Sequence, residues 1–221
     1  MKKITLFTLI ILTLFSINSF AYGLNNNLEI LGGRFNTHNA GELVLTTFNY
    51  IDDGGNLFLP SDLRFSLGEG VGNNLVDSYN ELEIAFYHQL DEDLADIYLG
   101  LGYKNLNKKD SIAKKSGWSI PITLKGEFDL LENTTLEGRG QILPFGNYSV
   151  TTEDSLNFSG DLKGYNIDLS INHSLTDTFA LKLGYLYQSY TFGDNLDNKD
   201  LPIAGYEEHF NGLYFGGRIS F

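Results

Sequence analysis

The 221-residue chain contains no cysteine. That absence excludes disulfide staples, thiolate metal sites and cysteine nucleophiles. No run of about 20 consecutive apolar residues is present, the length a bilayer demands of a spanning helix. The most apolar stretch, Ile4 to Ile17, is interrupted by Thr5, Thr8, Thr13 and Ser16. Helical periodicity is nowhere sustained. Basic residues are scarce, 15 against 28 acidic, which argues against nucleic acid as a partner because phosphate neutralisation needs a basic surface. No phosphate-cradling glycine loop, nucleophile elbow or zinc-helix motif occurs. Met and Trp appear once each, whereas Gly (24), Phe (16) and Tyr (13) are abundant. Glycine and aromatics at modest hydropathy are what alternating strands with aromatic rims produce.

The first residues read as a secretory signal. Lys2 and Lys3 form a positive start, Ile4 to Ile17 an apolar centre, and Ser19-Phe20-Ala21 a small-x-small cleavage site. Residues 1–21 are thus expected to be removed near Ala21, leaving residues 22–221 as a single domain with 13 basic and 28 acidic residues. A mature chain of this kind in a membrane lies there as strands.

Period-2 alternation recurs from Leu28 to Phe221. In its clearest stretch Trp118, Ile120, Ile122, Leu124, Gly126, Phe128 and Leu130 share one face, and Ser119, Pro121, Thr123, Lys125, Glu127 and Asp129 the other. Ten residue steps from Trp118 to Phe128, tilted by about 40°, project to roughly 25 Å, the height of an outer-membrane apolar band. Pro121 cannot donate to a neighbouring strand, so a bulge is expected there. Short connections (Asp91 to Asp96, Leu131 to Asn133, Leu175 to Thr178) alternate with long polar ones (Asn107 to Ser116, Leu143 to Gly160, Gly193 to Gly205), as turns alternate with loops in a barrel. Eight strands are expected from about Asp77 onward. Strands at Leu28 to Phe35, Leu43 to Tyr50 and Leu57 to Leu67 precede them; the parity of a closed barrel favours ten in total over eight. The fold expected is all-β, an antiparallel up-and-down transmembrane β-barrel.

The chain ends Leu213-Tyr214-Phe215-Gly216-Gly217-Arg218-Ile219-Ser220-Phe221, a two-faced strand finishing on an aromatic. This ending, the signal segment and the hairpins Tyr79 to Lys104 and Ile120 to Ile142 resemble small proteobacterial outer-membrane β-barrel proteins. The similarity is greatest to single-barrel members of this size that have no assigned activity. The long N-terminal third departs from the simple eight-strand pattern. The resemblance implies that Phe215, Gly217, Ile219 and Phe221 form the signal read by the barrel-assembly machinery. It also implies periplasmic chaperones, outer-membrane lipid and lipopolysaccharide as partners, and the outer membrane of a Gram-negative bacterium as location. Phe221 is accordingly expected to matter more to assembly than a loop aromatic such as Tyr148.

Candidate chemistry centres on charges expected in the lumen: Glu81, Glu83, Lys104, Lys125, Glu127, Glu137, Arg139, Asp168, Lys182 and Arg218. Both signs occur on neighbouring strands, so a salt-bridged plug is expected ahead of an ion passage, since narrow barrels are filled by side chains. Glu127 with Glu137 is a conceivable acid–base pair, but Lys125 and Arg139 beside them favour a structural network. His88 and His173 fall on outward faces near turns, where interfacial packing suffices. Barrel closure would bring His38 near His209, with Glu207 and Glu208 alongside, the basis for an alternative reading as an outer-leaflet lipid- or peptide-modifying enzyme. Asp194, Asp197 and Asp200 are spaced by three, unlike a calcium loop. Lys108, Lys109, Lys114 and Lys115 read as a solubilising loop tip or as contacts to lipopolysaccharide phosphates. No catalytic, cofactor-binding or metal residue is assigned. The expected role is structural, surface-interacting or that of a narrow pore.

Overall fold

The computed structural model describes residues 26–37, 41–52, 61–71, 76–91, 96–110, 113–152, 157–193 and 206–221. The expected signal segment and its cleavage site lie outside these residues, as do His38, Asp194, Asp197 and Asp200. Ten strands form one closed barrel. They are β1 Asn26–Thr37, β2 Gly41–Asp52, β3 Asp62–Val71, β4 Val76–Asp91, β5 Asp96–Asp110, β6 Ala113–Leu131, β7 Thr134–Thr152, β8 Asn157–Thr176, β9 Phe179–Phe192 and β10 Tyr206–Ser220. Each pairs antiparallel with its sequence neighbours, and β1 pairs with β10 to close the ring. The seam extends past β10, where the backbones of Asn26 and Phe221 exchange hydrogen bonds of 3.2 and 3.0 Å. The rim holding Asn26 and Phe221 is termed the lower rim and the opposite one the upper rim.

Register fixes the shape. Stepping between paired residues from Ser170 through Gly184, Tyr214, Gly33, Leu45, Gly68, Tyr79, Lys108, Lys115 and Val150 returns to β8 at Phe158, a stagger of twelve residues. A stagger of that size tilts the strands by about 40°, and ten strands so tilted enclose a backbone cylinder about 20 Å across. Side chains from opposite walls therefore meet.

The alternation seen in sequence sorts the two faces. Ile30, Leu82, Leu99, Leu101, Leu124, Ile142, Leu169 and Leu183 point outward and are exposed, whereas Glu29, Glu81, Glu83 and Lys104 point inward and are buried. Thirty large apolar side chains are exposed among the described residues, with Phe215 at 72%. Trp118 and Phe128 stand on the outer face of β6 at the two edges of this belt. An apolar exterior around a charged interior inverts the order of a soluble domain and is the surface of a barrel solvated by lipid.

The expected bulge at Pro121 is present, with a register shift between Ile120 and Ile122. The expected third strand begins at Asp62, and its proposed start at Leu57 lies outside the described residues. Two of the expected long loops are instead largely strand. β5 runs to Asp110 and β6 starts at Ala113; β7 runs to Thr152 and β8 starts at Asn157. Two physical causes hid them. Above the lipid belt the outer face has no reason to be apolar: Ser116 bonds Ser149 and Thr151 bonds Asn157 across neighbouring strands. A register shift between Leu143 and Asn147, around Pro144, also moves the inward positions of β7 from Gln141 and Leu143 to Tyr148, which breaks the period. The strands β6, β7 and β8, of 19, 19 and 20 residues, rise about 45–50 Å along the axis, roughly twice the belt. β6 runs five residues beyond Trp118 at the upper rim and three beyond Phe128 at the lower.

Candidate functional site in the barrel lumen

The interior has two layers. In the lower layer, strand alternation places charges from six or more strands at similar depth. Glu29, fully buried on β1, accepts hydrogen bonds from Asn49 at 2.8 Å, Lys182 at 3.0 Å and Arg218 at 2.6 Å. Lys182 and Arg218 also grip Glu137. Arg64 donates to Asn49 at 3.1 Å and to Asp168 at 3.3 Å, and Asp168 accepts the Tyr214 hydroxyl at 2.5 Å. Glu83 pairs with Arg139 and accepts from Gln141 at 2.8 Å. Five of these residues form one row of register partners, Arg218–Glu29–Asn49–Arg64–Glu83, which continues to Lys104. Opposite signs meet both between neighbouring strands and across the lumen, as Arg64 on β3 meets Asp168 on β8, and this pairing offsets the cost of burying the charges.

The upper layer is apolar and aromatic. Leu31 and Phe35 late in β1, Leu43 and Leu45 early in β2, Tyr79, Leu106, Leu143, Tyr148, Leu162, Tyr190, Phe192, Phe210 and Tyr214 form one buried cluster. Rings interlock at its centre: Tyr79 and Phe210 centroids are 5.4 Å apart, Tyr148 and Phe192 5.0 Å, Tyr190 and Phe210 6.1 Å. Glycine makes room for one of them, since a Cβ at Gly184 would fall 2.4 Å from the Tyr214 ring. The foot of the layer is latched by Glu81, which accepts from Tyr79 at 2.6 Å and Tyr190 at 3.0 Å while Lys104 lies 3.0 Å from its other oxygen. Within the layer Glu208 holds Lys108 at 3.0 Å and Lys115 at 2.6 Å.

The ten lumenal charges expected from sequence all face inward and all enter the network. Glu127 and Glu137 are register partners, yet each has its own cation, Lys125 at 2.5 Å for Glu127 and Lys182 and Arg218 for Glu137. They are structural neighbours with no shared proton to exploit. Sequence reasoning missed Glu29, Glu208 and the whole aromatic layer. The lysine reading is corrected in part: Lys108 and Lys115 point inward from strands and bind Glu208, while Lys109 and Lys114 are exposed. Tyr148 is also corrected, being a buried strand residue whose hydroxyl donates to the Gly193 carbonyl at 2.7 Å. With Asp62, eight basic and eight acidic side chains occupy the lumen among the described residues, so the described interior is formally neutral. Interior voids of about 10, 20 and 30 Å³ remain, each room for a water or two.

Outside the lumen, His88 is exposed, and His173 meets the Thr134 hydroxyl at 3.0 Å. His209 stacks on Tyr187 with centroids 6.0 Å apart, shares a 3.1 Å hydrogen bond with its hydroxyl and lies 3.4 Å from Glu207. Its proposed companion His38 is outside the described residues. Phe215, Gly217, Ile219 and Phe221 share the outer face of the closing strand; the three larger side chains are exposed.

No family model matches the chain, and no curated protein matches it in sequence. Solved structures do. The chain is similar to the Neisserial surface protein A (12% identity, covering 90% of this chain and 97% of that one, TM-score 0.40). It is similar to Ail, the attachment invasion locus protein of Yersinia pestis (10% identity, 89% and 97%, TM-score 0.34). It is also similar to the outer-membrane expressed OmpT of Vibrio cholerae (13% identity, TM-score 0.31), covering 83% of this chain and 57% of that one.

Proposed function

We propose that the mature chain, released by cleavage near Ala21, is a non-enzymatic outer-membrane barrel that is closed at rest and works through its upper surface. The lower rim faces the periplasm in this reading and the upper strands project from the cell. The observation that carries it is the aromatic layer across the lumen, latched by Glu81, where a void between the described residues holds only about 20 Å³. A sealed lumen leaves the projecting ends of β6, β7 and β8 as the working part. Their outer faces carry Ser116, Ser149, Thr151 and Asn157, suited to hydrogen bonding with an external partner. Lys109 and Lys114, register partners at that level, supply positive charge for the phosphates of lipopolysaccharide. Periplasmic chaperones and the barrel-assembly machinery are its partners during biogenesis, with Phe215, Gly217, Ile219 and Phe221 as the assembly signal.

Planar-bilayer recording tests the closed state: the purified barrel is expected to give no steady single-channel current. A stable open conductance would replace this reading with that of a pore. Labelling of intact cells at a cysteine introduced at Ser149 tests the orientation, which is wrong if that position is protected until the outer membrane is broken.

A further inference from the structure

The lower layer differs from the upper in how completely its polar atoms are satisfied. Asp62 and Asn172 are more than nine-tenths buried, yet one Asp62 carboxylate oxygen and both amide atoms of Asn172 lack a hydrogen-bond partner. The Arg139 Nε and the Tyr87 hydroxyl, both on strands facing the same layer, are also unpartnered. Buried polar atoms in a roomy, polar setting require water, and a void of about 30 Å³ touches Asp62 and Arg139. Some charges near the lower rim also keep solvent contact. Lys125, Glu127 and Arg218 keep 15, 23 and 16% of their side-chain surface, whereas Lys104 and Glu81 at the foot of the seal keep 2% each. Together these point to the lower rim as the entry for water to the lower layer.

The fully exposed charges at the strand ends of that rim are acidic. Asp96, Asp129, Glu132 and Asp177 stand exposed at its strand ends, and among the described residues no exposed lysine or arginine accompanies them there. A narrow mouth of one sign between low-dielectric walls concentrates counter-ions. We propose that the lower half of the lumen is a hydrated, blind vestibule that admits water and small monovalent cations in preference to anions. This goes beyond the closed-barrel reading, which concerns only the seal.

The absence of cysteine makes the test direct. In refolded barrels selected by heat-modifiable migration, Asn172→Cys is treated with 2-aminoethyl and 2-sulfonatoethyl methanethiosulfonate, a cation and an anion of similar size. The cationic reagent is expected to react about tenfold faster at low salt, with the ratio shrinking as ionic strength rises. Leu162→Cys, in the seal, is expected to react with neither over the same period. Should Asn172→Cys fail to fold, Ser170→Cys in the same buried layer gives the same reading. Equal rates or a faster anion would remove the cation preference. No reaction in folded barrels would remove the vestibule, and reaction at Leu162→Cys as fast as at Asn172→Cys would remove its blind end.

Discussion

At the scale of single residues, Glu29 is the side chain on which most of the lower network depends. It is fully buried and satisfies Asn49, Lys182 and Arg218 at once. Glu29→Ala leaves two cations to share Glu137 alone, and breaking such a buried group costs about 3–5 kcal/mol. Urea unfolding in lipid vesicles, followed through Trp118 as the one tryptophan, is expected to register that loss. The Arg34–Glu42 pair is a useful contrast, since its side chains are 64 and 41% exposed. Arg34→Ala is expected to cost only about 0–1 kcal/mol. Equal effects at the two sites would mean that the lower network contributes no more than a surface pair. The lumenal charges were legible from alternation alone because strand period puts every second residue inside. Glu29 was not separable in that way: its inward neighbours Leu31 and Phe35 are as apolar as the outward Leu28 and Ile30, so neither face of β1 declares itself.

At the scale of elements, β6 and β10 carry the most informative expectations. Trp118 marks the upper edge of the belt on β6. Its emission is expected to be quenched more by lipids brominated near the headgroup end of the chain than by lipids brominated near the terminal methyl; the opposite order would move the belt upward. On β10, Phe221 is expected to be required for assembly out of proportion to its stability contribution. A charge near a membrane interface costs only about 0–1 kcal/mol, so Phe221→Asp and Phe145→Asp, outward aromatics near opposite rims, should be alike thermodynamically. Much lower outer-membrane levels for Phe221→Asp alone would support recognition of the closing strand, whereas equal levels would count against it. Phe145 serves as the comparison because Tyr148 belongs to the seal. β7 and β8 show where element reading fails: above the lipid the chain remains paired while the apolar alternation that reveals pairing disappears.

At the scale of the whole molecule, one layer closes the cylinder. Tyr190 and Phe210 meet edge-on at its centre, and Tyr79 lies against Phe210. The double variant Tyr190→Ala, Phe210→Ala removes two inward rings above a hydrated lower half while leaving the backbone pairing of β10 with β1 and β9 in place. It is expected to convert a silent barrel into a conducting one, with reversal potentials under a salt gradient favouring cations. A folded double variant that stays silent would show that the barrier is thicker than this layer. Glu81→Gln, which keeps an acceptor for Tyr79 and Tyr190 but withdraws the charge opposite Lys104, is expected to give only brief openings.

The sequence by itself determined the architecture and its solvent. Recurrent alternation and a belt of one height leave a closed barrel in lipid as the consistent arrangement, because unpaired strand edges cannot face hydrocarbon. It also determined the inward face of ten lumenal charges between Glu81 and Arg218, but not that of Lys108, Lys115 and Glu208. The tertiary structure alone decided who pairs with whom and whether the lumen is open. Glu29 and Lys182 are 153 residues apart, and Arg64 and Asp168 are 104 apart; a twelve-residue stagger brings them to one depth, and no local pattern encodes that stagger. The seal has the same origin. Its members are inward aromatics and leucines, one or two to a strand, scattered over eight strands, unremarkable in any one strand, and only closure of the cylinder brings them into contact.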